Sequence, residues 1–245
     1  MLLLYSIIID KTRKIKMWIN KIKNFLLDIF FPKICLGCQK NGFFICPTCL
    51  KNIIVLGEIK NNFQGFKGMI ACFDYHQPLI KKMIKRAKYS PYQKELIPIL
   101  TSFLIKFLKN FPQILSFWKK NNFVLIPIPL TKGKMAWRGF NQAEIIARAF
   151  GDALVLSVET ACLERQRSTI PQSQLDDEGR RENMKDAFVV IDVTRIAGRR
   201  ILLIDDVITT GATVSACADA LLAGGAREIW CVAIAHGGAP IDARA

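Results

Sequence analysis

The sequence predicts an α/β chain, a doubly wound and mostly parallel sheet preceded by a small cysteine-rich module. Three observations carry this. Apolar runs suited to buried strands alternate with helical stretches over residues 121–245. One of those strands leads through two aspartates and a threonine–glycine turn into a helix, and four of the eight cysteines crowd together near the front. With 245 residues at 51% apolar content the chain can bury a substantial core, which excludes disorder over most of its length.

The front of the chain is strongly basic. Lys and Arg number 35 against 20 Asp and Glu, a formal charge of +15, which points to a phosphate-rich partner such as nucleic acid or an anionic membrane surface. The excess is confined to residues 1–135, with 21 Lys, 2 Arg and 5 acids; residues 136–245 hold 1 Lys, 11 Arg and 15 acids. The contrast fits two modules or the base composition of the coding DNA.

Residues 1–9, MLLLYSIII, are apolar but have no basic stretch before them and no small-residue cleavage site. They also fall short of the roughly 20 residues that a membrane helix needs, so neither secretion nor a transmembrane segment is expected. Met17 is a candidate working start, with residues 1–16 as an upstream extension. Beyond it Trp18, Ile22, Phe25, Leu26, Ile29 and Phe30 recur at helical spacing opposite Asn20, Lys21, Lys23, Asn24 and Asp28. Such a basic amphipathic helix docks on the protein's own body, on a membrane surface or on a partner.

Cys35, Cys38, Cys46 and Cys49 form two Cys-x-x-Cys knuckles with Asn41-Gly42 in the turn between them. Two thiolates at that spacing grip one face of a tetrahedral zinc ion at about 2.3 Å, and the second pair closes the shell with no open position. A structural zinc ribbon is expected, the Zn2+ supplying folding energy that so short a segment lacks. Two disulfides are the alternative, though nothing marks an oxidising compartment. Cys72, Cys162, Cys217 and Cys231 stand singly in apolar contexts, as core residues do. His76 and His236 are isolated in sequence and suggest no metal or nucleophilic constellation.

Next comes a short strand over residues 69–75, then mostly helical sequence to residue 120, expected to pack on the sheet or extend it. Here Lys81, Lys82, Lys85, Arg86 and Lys88 lie among Tyr75, Tyr89 and Tyr92. Cations tracking a backbone beside stackable rings suit single-stranded nucleic acid; a solvated helix face is the other reading.

In the second half, strands are expected over residues 124–130, 153–158, 187–193, 201–205 and 228–235. Helices are expected over 135–150 and 213–223, the latter stopped by Gly224-Gly225. The strand at 124–130 runs into a basic loop carrying Lys132, Lys134 and Arg138, and Asn141 is placed to cap the helix beyond. Arg165, Arg167, Arg180 and Arg181 bracket an acidic cluster at residues 176–178 in a stretch without periodicity, which fits a mobile lid.

The most chemical stretch is residues 201–213, ILLIDDVITTGAT. Backbone N–H groups of a glycine-containing turn that opens a helix point outward together and meet the positive end of its dipole, so they hold a phosphate. Gly211 stands where a side chain would block the approach. Adjacent carboxylates at the strand's C-terminal end suit vicinal hydroxyls or a hydrated magnesium ion. No Walker A lysine and no G-x-G-x-x-G follow a strand, which argues against nucleoside triphosphatase and dinucleotide readings.

This run resembles, over its whole length, the signature of type I phosphoribosyltransferases, which bind phosphoribosyl pyrophosphate. The resemblance implies that Asp205 and Asp206 contact the ribose hydroxyls. It implies further that Thr209, Thr210, Gly211, Ala212 and Thr213 cradle the 5′-phosphate, with Mg2+ accompanying the ligand, and that Lys132, Lys134 and Arg138 lie near the pyrophosphate; a solvated loop for the lysines and a helix-entry salt bridge for Arg138 are the other readings. VLIPIPLTKGKMAWRGFNQAEIIA (residues 124–147), then Thr169, Gln172, Leu175, Arg180, Asn183, Ala187 and Phe188, together with the cysteine knuckles, extend the likeness. From about residue 31 to residue 235 the chain resembles the ComF family of competence proteins. Arg180 and Asn183 fall on family-matching positions of the lid. That family is associated with uptake of single-stranded DNA during natural transformation.

The expected organisation is an N-terminal extension and basic helix (1–30), a zinc ribbon (31–56), a basic and mostly helical segment (57–120) and a type I phosphoribosyltransferase-like domain (121–245). The expected protein is cytoplasmic, with membrane association through uptake machinery as a further reading. It binds phosphoribosyl pyrophosphate with magnesium, and single-stranded DNA through Lys81, Lys82, Lys85, Arg86, Lys88 and Tyr89. Two other readings stay open: phosphoribosyl transfer to an unknown small acceptor, and a zinc-ribbon adaptor contacting a DNA-uptake helicase or channel proteins without ligand turnover.

Overall fold

A computed structural model of the chain describes residues 32–61, 66–89, 93–166 and 187–238. The predicted helix at 18–30, Tyr92, the acidic cluster at 176–178, Arg180 and Asn183 lie outside the described residues. The chain divides into two compact units, one ending at Asn52 and the other starting at Ile53.

The first unit is built around the cysteines. Isolated pairing of Ile34 with Asn41 closes the turn that carries the first knuckle, Gly42 follows at φ 92°, and α1 (Pro47–Lys51) starts within the second knuckle, with Cys46 at its N-cap and Cys49 inside it. Pro47 suits the first turn of that helix because its missing N–H would have no intrahelical partner there.

The second unit is organised by one six-stranded sheet. Its strands are β1 (Glu58–Asn61), β2 (Gly68–Asp74), β3 (Val124–Pro127), β4 (Ser157–Val158), β7 (Arg200–Ile208) and β8 (Glu228–His236), in the order β1-β2-β8-β7-β3-β4. All pairs are parallel except β1 with β2. The strand read at 69–75 is thus β2, paired in parallel with β8. Between β2 and β3 lie α2 (Pro78–Lys88), α3 (Leu96–Leu108) and α4 (Pro112–Lys120).

A sheet covered on both faces needs apolar residues at successive positions, not alternate ones, and β7 and β8 supply them. Ile201 and Leu203 join the core with Val214, Cys217 and Leu221 of α7 (Ala212–Ala223). Alternation leaves Leu202 and Ile204 to the opposite face, where α6 (Gln142–Leu154) packs on β3 and β7 and against α3.

Several elements differ from the sequence reading. The predicted strand at 153–158 loses its start to α6, which runs to Leu154 because its apolar period continues; Val155, at φ 57°, turns the chain and only Ser157–Val158 pairs. The predicted strand at 187–193 shrinks to β6 (Phe188–Val190). It pairs antiparallel with β5 (Leu163–Arg165) in a separate two-stranded sheet, so it is not part of the parallel sheet. The predicted helix at 135–150 is two helices, α5 (Lys132–Arg138) and α6, parted by Gly139 in the left-handed conformation at φ 75°. The basic loop after β3 is therefore helical, started by Thr131, whose hydroxyl accepts from the Lys134 amide.

The connections fix where a ligand can sit. From β3 the chain passes through α6 to β4 on one side, whereas from β7 it passes through α7 to β8 on the other. Neighbouring strands whose connections diverge in this way open a crevice at their carboxyl ends, the usual ligand position in open α/β sheets. Leu203→Ala, at a fully buried position, is expected to cost about 2–5 kcal/mol. Urea denaturation should show this as a lower midpoint with an unchanged slope.

Candidate functional site

The crevice between β3 and β7 is lined by the segment 205–213 on one wall and by α5 on the other. Strand β7 extends to Ile208, so Asp205 and Asp206 lie within the strand and not beyond its end, and Val207 and Ile208 still pair with β8. Asp205 Oδ1 accepts the Asp206 amide at 2.8 Å. The turn then passes Thr209, exposed, and Thr210, partly buried, to Gly211. Gly211 has φ 79°, and this conformation, costly for any residue with a Cβ, is the structural reason for the glycine. It opens α7 with no side-chain cap, and the positive end of the helix dipole lies at this turn. Ala212 is buried at the first helical position and Thr213 is partly buried behind it.

Facing the acids is a cation that the sequence reading placed elsewhere. Lys88, the last residue of α2, brings its Nζ to 2.8 Å from Asp206 Oδ2, with both side chains largely buried. Lys88 thus stands apart from Lys81, Lys82, Lys85 and Arg86, which are exposed on the outer surface of α2 while Ile80, Met83, Ile84 and Ala87 are buried. Burial opposes the Lys88 charge, but Asp206 and then Asp205 outweigh it and hold the ammonium above the ordinary lysine value. Burial, then the adjacent Asp206 charge, pushes the Asp205 carboxyl up to about 7; Lys88 and the Asp206 amide offset only part of this.

More cations converge from the other wall. Desolvation, and then the charges of Arg165, Arg138 and Lys88, hold Lys134 below the ordinary lysine value. Arg138 sits at the end of α5 with its guanidinium 5.8 Å from the Tyr89 ring centre, and its Nε is buried without a hydrogen-bond partner among the described residues. Arg165 ends β5, is 8% exposed and lies over the Phe188 ring at 5.3 Å. It lines a hollow of about 300 Å³ with Thr131, Lys132, Gly133, Glu164 and Gln166. Lys132 is exposed there and pairs with Glu164 at 2.8 Å. A larger hollow of about 590 Å³ lies around Phe123, Leu156 and Arg199, at the opposite ends of the strands.

Sequence reasoning had marked the acids, the turn, Lys132 and Arg138. It set Lys134 beside them in the basic loop and Arg165 in a lid or on a helix surface, and it missed the Lys88–Asp206 pair, for which no local signal exists.

In the first unit the four cysteine Sγ atoms lie within 4.8 Å of one another. Tetrahedral coordination at about 2.3 Å demands sulfur separations near 3.8 Å, and Cys38 and Cys46 stand at 3.5 Å. The Cys46 amide donates to Cys35 Sγ at 3.3 Å, and the Cys49 amide to Cys46 Sγ at 3.5 Å. A Cβ on Gly37 would lie 2.6 Å from Cys49 Sγ, so the first knuckle requires glycine there. Burial works against the Cys35 thiolate, yet the amides of Cys38, Cys46 and Gly37 lower it to about 6. Shared protons from Cys38 and Cys46 push Cys49 up to about 12. Four thiolates this close ionise together only around a cation, and the donor set fits zinc.

Fold and loop together define a phosphoribosyltransferase-type domain joined to a four-cysteine, zinc-ribbon-like module. The family model for the phosphoribosyl transferase domain matches residues 136–244. The chain is 31% identical over 209 residues to the DNA utilization protein YhgH of Salmonella typhi, covering 81% of this chain and 88% of that protein. It is 27% identical over 205 residues to Competence protein F of Haemophilus influenzae, covering 80% and 87%. With Competence protein ComFC of Bacillus subtilis it shares 29% over 153 residues, 60% of this chain and 55% of that one. The chain belongs to the ComF family. No helix among the described residues is long and apolar enough to cross a membrane.

Two outcomes are expected. Metal analysis should find one zinc per chain, retained through dialysis and lost in Cys38→Ser with Cys49→Ser. For Asp205, a folded-state value of about 7 above the ordinary 3.8 means that the folded chain alone holds this proton between those limits. Stability therefore falls as pH rises from about 4 to about 7. Asp205→Asn removes that loss, so its melting temperature should exceed the parent's by a wider margin at pH 8 than at pH 5; an equal margin would contradict the assignment.

Proposed function

We propose that the second unit binds phosphoribosyl pyrophosphate and that the protein handles single-stranded DNA during its uptake. The observation that carries the first part is the order of strand, acid pair, left-handed Gly211 and uncapped helix beside a convergent group of cations. The amino-terminal end of α7 and the turn at 209–213 take the 5′-phosphate, where the helix dipole favours negative charge. Asp205 and Asp206 accept hydrogen bonds from the ribose hydroxyls. Lys132 and Arg138, with Lys134 and Arg165, face the pyrophosphate, whose charge is worth more against them in a site partly closed to water.

The acid pair already holds one cation in Lys88, and its carboxylates are the residues that would hold magnesium when the ligand brings it. Such an ion neutralises the pyrophosphate. Sugar binding at Asp206, 8% exposed under Lys88, requires the ammonium to turn from the carboxylate toward the ligand.

The DNA part rests on three supports: the family's competence and DNA-utilization names, the +15 charge and the exposed stripe Lys81, Lys82, Lys85 and Arg86. Arg180 and Asn183, read as parts of a lid, keep that role as part of the proposal.

Calorimetric titration with phosphoribosyl pyrophosphate and magnesium should show binding to the parent and at least a tenfold loss in Asp205→Ala/Asp206→Ala, about 1.4 kcal/mol. Equal binding by the two rejects the sugar-phosphate site. For single-stranded oligonucleotide, neutralising Lys81, Lys82 and Lys85 should reduce the slope of log affinity against log salt by about 2, near 0.7 for each lost phosphate contact. An unchanged slope removes α2 from the DNA path.

A further inference from the structure

Two large aromatic side chains from segments distant in sequence meet on the surface beside the crevice. Tyr89 is 51% exposed and Trp137 is 59% exposed, their ring centres 6.4 Å apart and tilted by 53°. A single exposed aromatic needs no explanation. A pair of them, with the Arg138 guanidinium 5.8 Å from the tyrosine ring centre, leaves apolar area in water where folding alone would favour covering it.

Their position is informative. Tyr89 directly follows Lys88, whose Nζ touches Asp206, and Trp137 directly precedes Arg138 on α5. Each ring is thus carried by the residue next in sequence to one of the crevice's cations, and Tyr89 also lies against the Arg138 guanidinium. On α2, Lys82 and Arg86 stand four residues apart on one exposed helix face, and Tyr89 follows as the residue that ends the helix, in extended conformation. A polyanion running along that face would arrive at the two rings.

We propose that Tyr89 and Trp137 are the base-stacking platform of this protein, taking a nucleobase of single-stranded DNA whose phosphates track Lys82, Lys85 and Arg86. Flat rings supply sequence-tolerant affinity because every base presents a π-face. Charge complementarity selects the occupant: a neutral protein surface would gain nothing from the surrounding lysines and arginines. The proposal rests on the single-strand reading above and assigns it residues outside α2's cationic stripe.

The test uses the full chain and a fluorescently labelled oligothymidine, read by anisotropy. Trp137→Ala should weaken binding about tenfold with an unchanged salt slope, since it removes stacking and no charge. Trp137→Phe should recover most of the affinity, and calorimetry should show phosphoribosyl pyrophosphate bound equally well by parent and Trp137→Ala. A deoxyribose-phosphate oligomer of equal length without bases should bind the parent no better than oligothymidine binds Trp137→Ala. The platform is rejected if Trp137→Ala holds oligothymidine like the parent, if the base-free oligomer binds the parent as well as oligothymidine does, or if the substitution weakens binding only to anionic phosphatidylserine vesicles. A parent chain that ignores oligothymidine altogether removes the single-strand reading itself, with the platform.

Discussion

The opposition of Lys88 and Asp206 is the constraint on which the second unit's chemistry depends. Two adjacent carboxylates inside a buried strand are unfavourable, because neighbouring charges repel and burial strips them of water. The fold tolerates them by bringing an ammonium from α2 to 2.8 Å and by letting Asp205 keep its proton until about pH 7. The strand β7 thus holds a site destabilised in isolation, which a ligand's hydroxyls or a magnesium ion can relieve. Helix α2 has two occupations: its end reaches the acids while Lys81, Lys82, Lys85 and Arg86 face solvent.

The same logic of mutual neutralisation governs the first unit at a smaller scale. Four thiols within 4.8 Å cannot all ionise unaided, and the amides of the knuckles favour the thiolate only at some of them. A tetrahedral cation resolves the competition and organises a segment with few apolar residues of its own. Four cysteines fill the shell of a tetrahedral ion with no vacant position, as structural sites do.

Much of this was legible in sequence because the decisive signals are local. The cysteine spacing dictates the knuckles, and the run 201–213 dictates strand, turn and helix in that order. Asn141 was readable as a cap and accepts the Ala143 amide at 3.1 Å. The errors have physical causes of other kinds. The start of α5 reads as a loop because Lys132, Gly133 and Lys134 carry no apolar period, and the Thr131 cap that starts the helix outweighs this. The strand at 188–190 was assigned to the parallel sheet because β-propensity says nothing about partners. Lys88 looked like one more surface cation, and only the tertiary fold sets it against Asp206. His236, read as isolated, pairs with buried Glu58 at 2.9 Å for the same reason.

The central claim is that the turn after β7 and the amino-terminal end of α7 hold a sugar phosphate. Amide NMR of the isotopically labelled chain during titration with ribose 5-phosphate tests it most directly. The account predicts saturable shifts concentrated at Thr210, Gly211, Ala212, Thr213 and Val214. Unmoved resonances there, or shifts confined to the exposed lysines of α2, would contradict it.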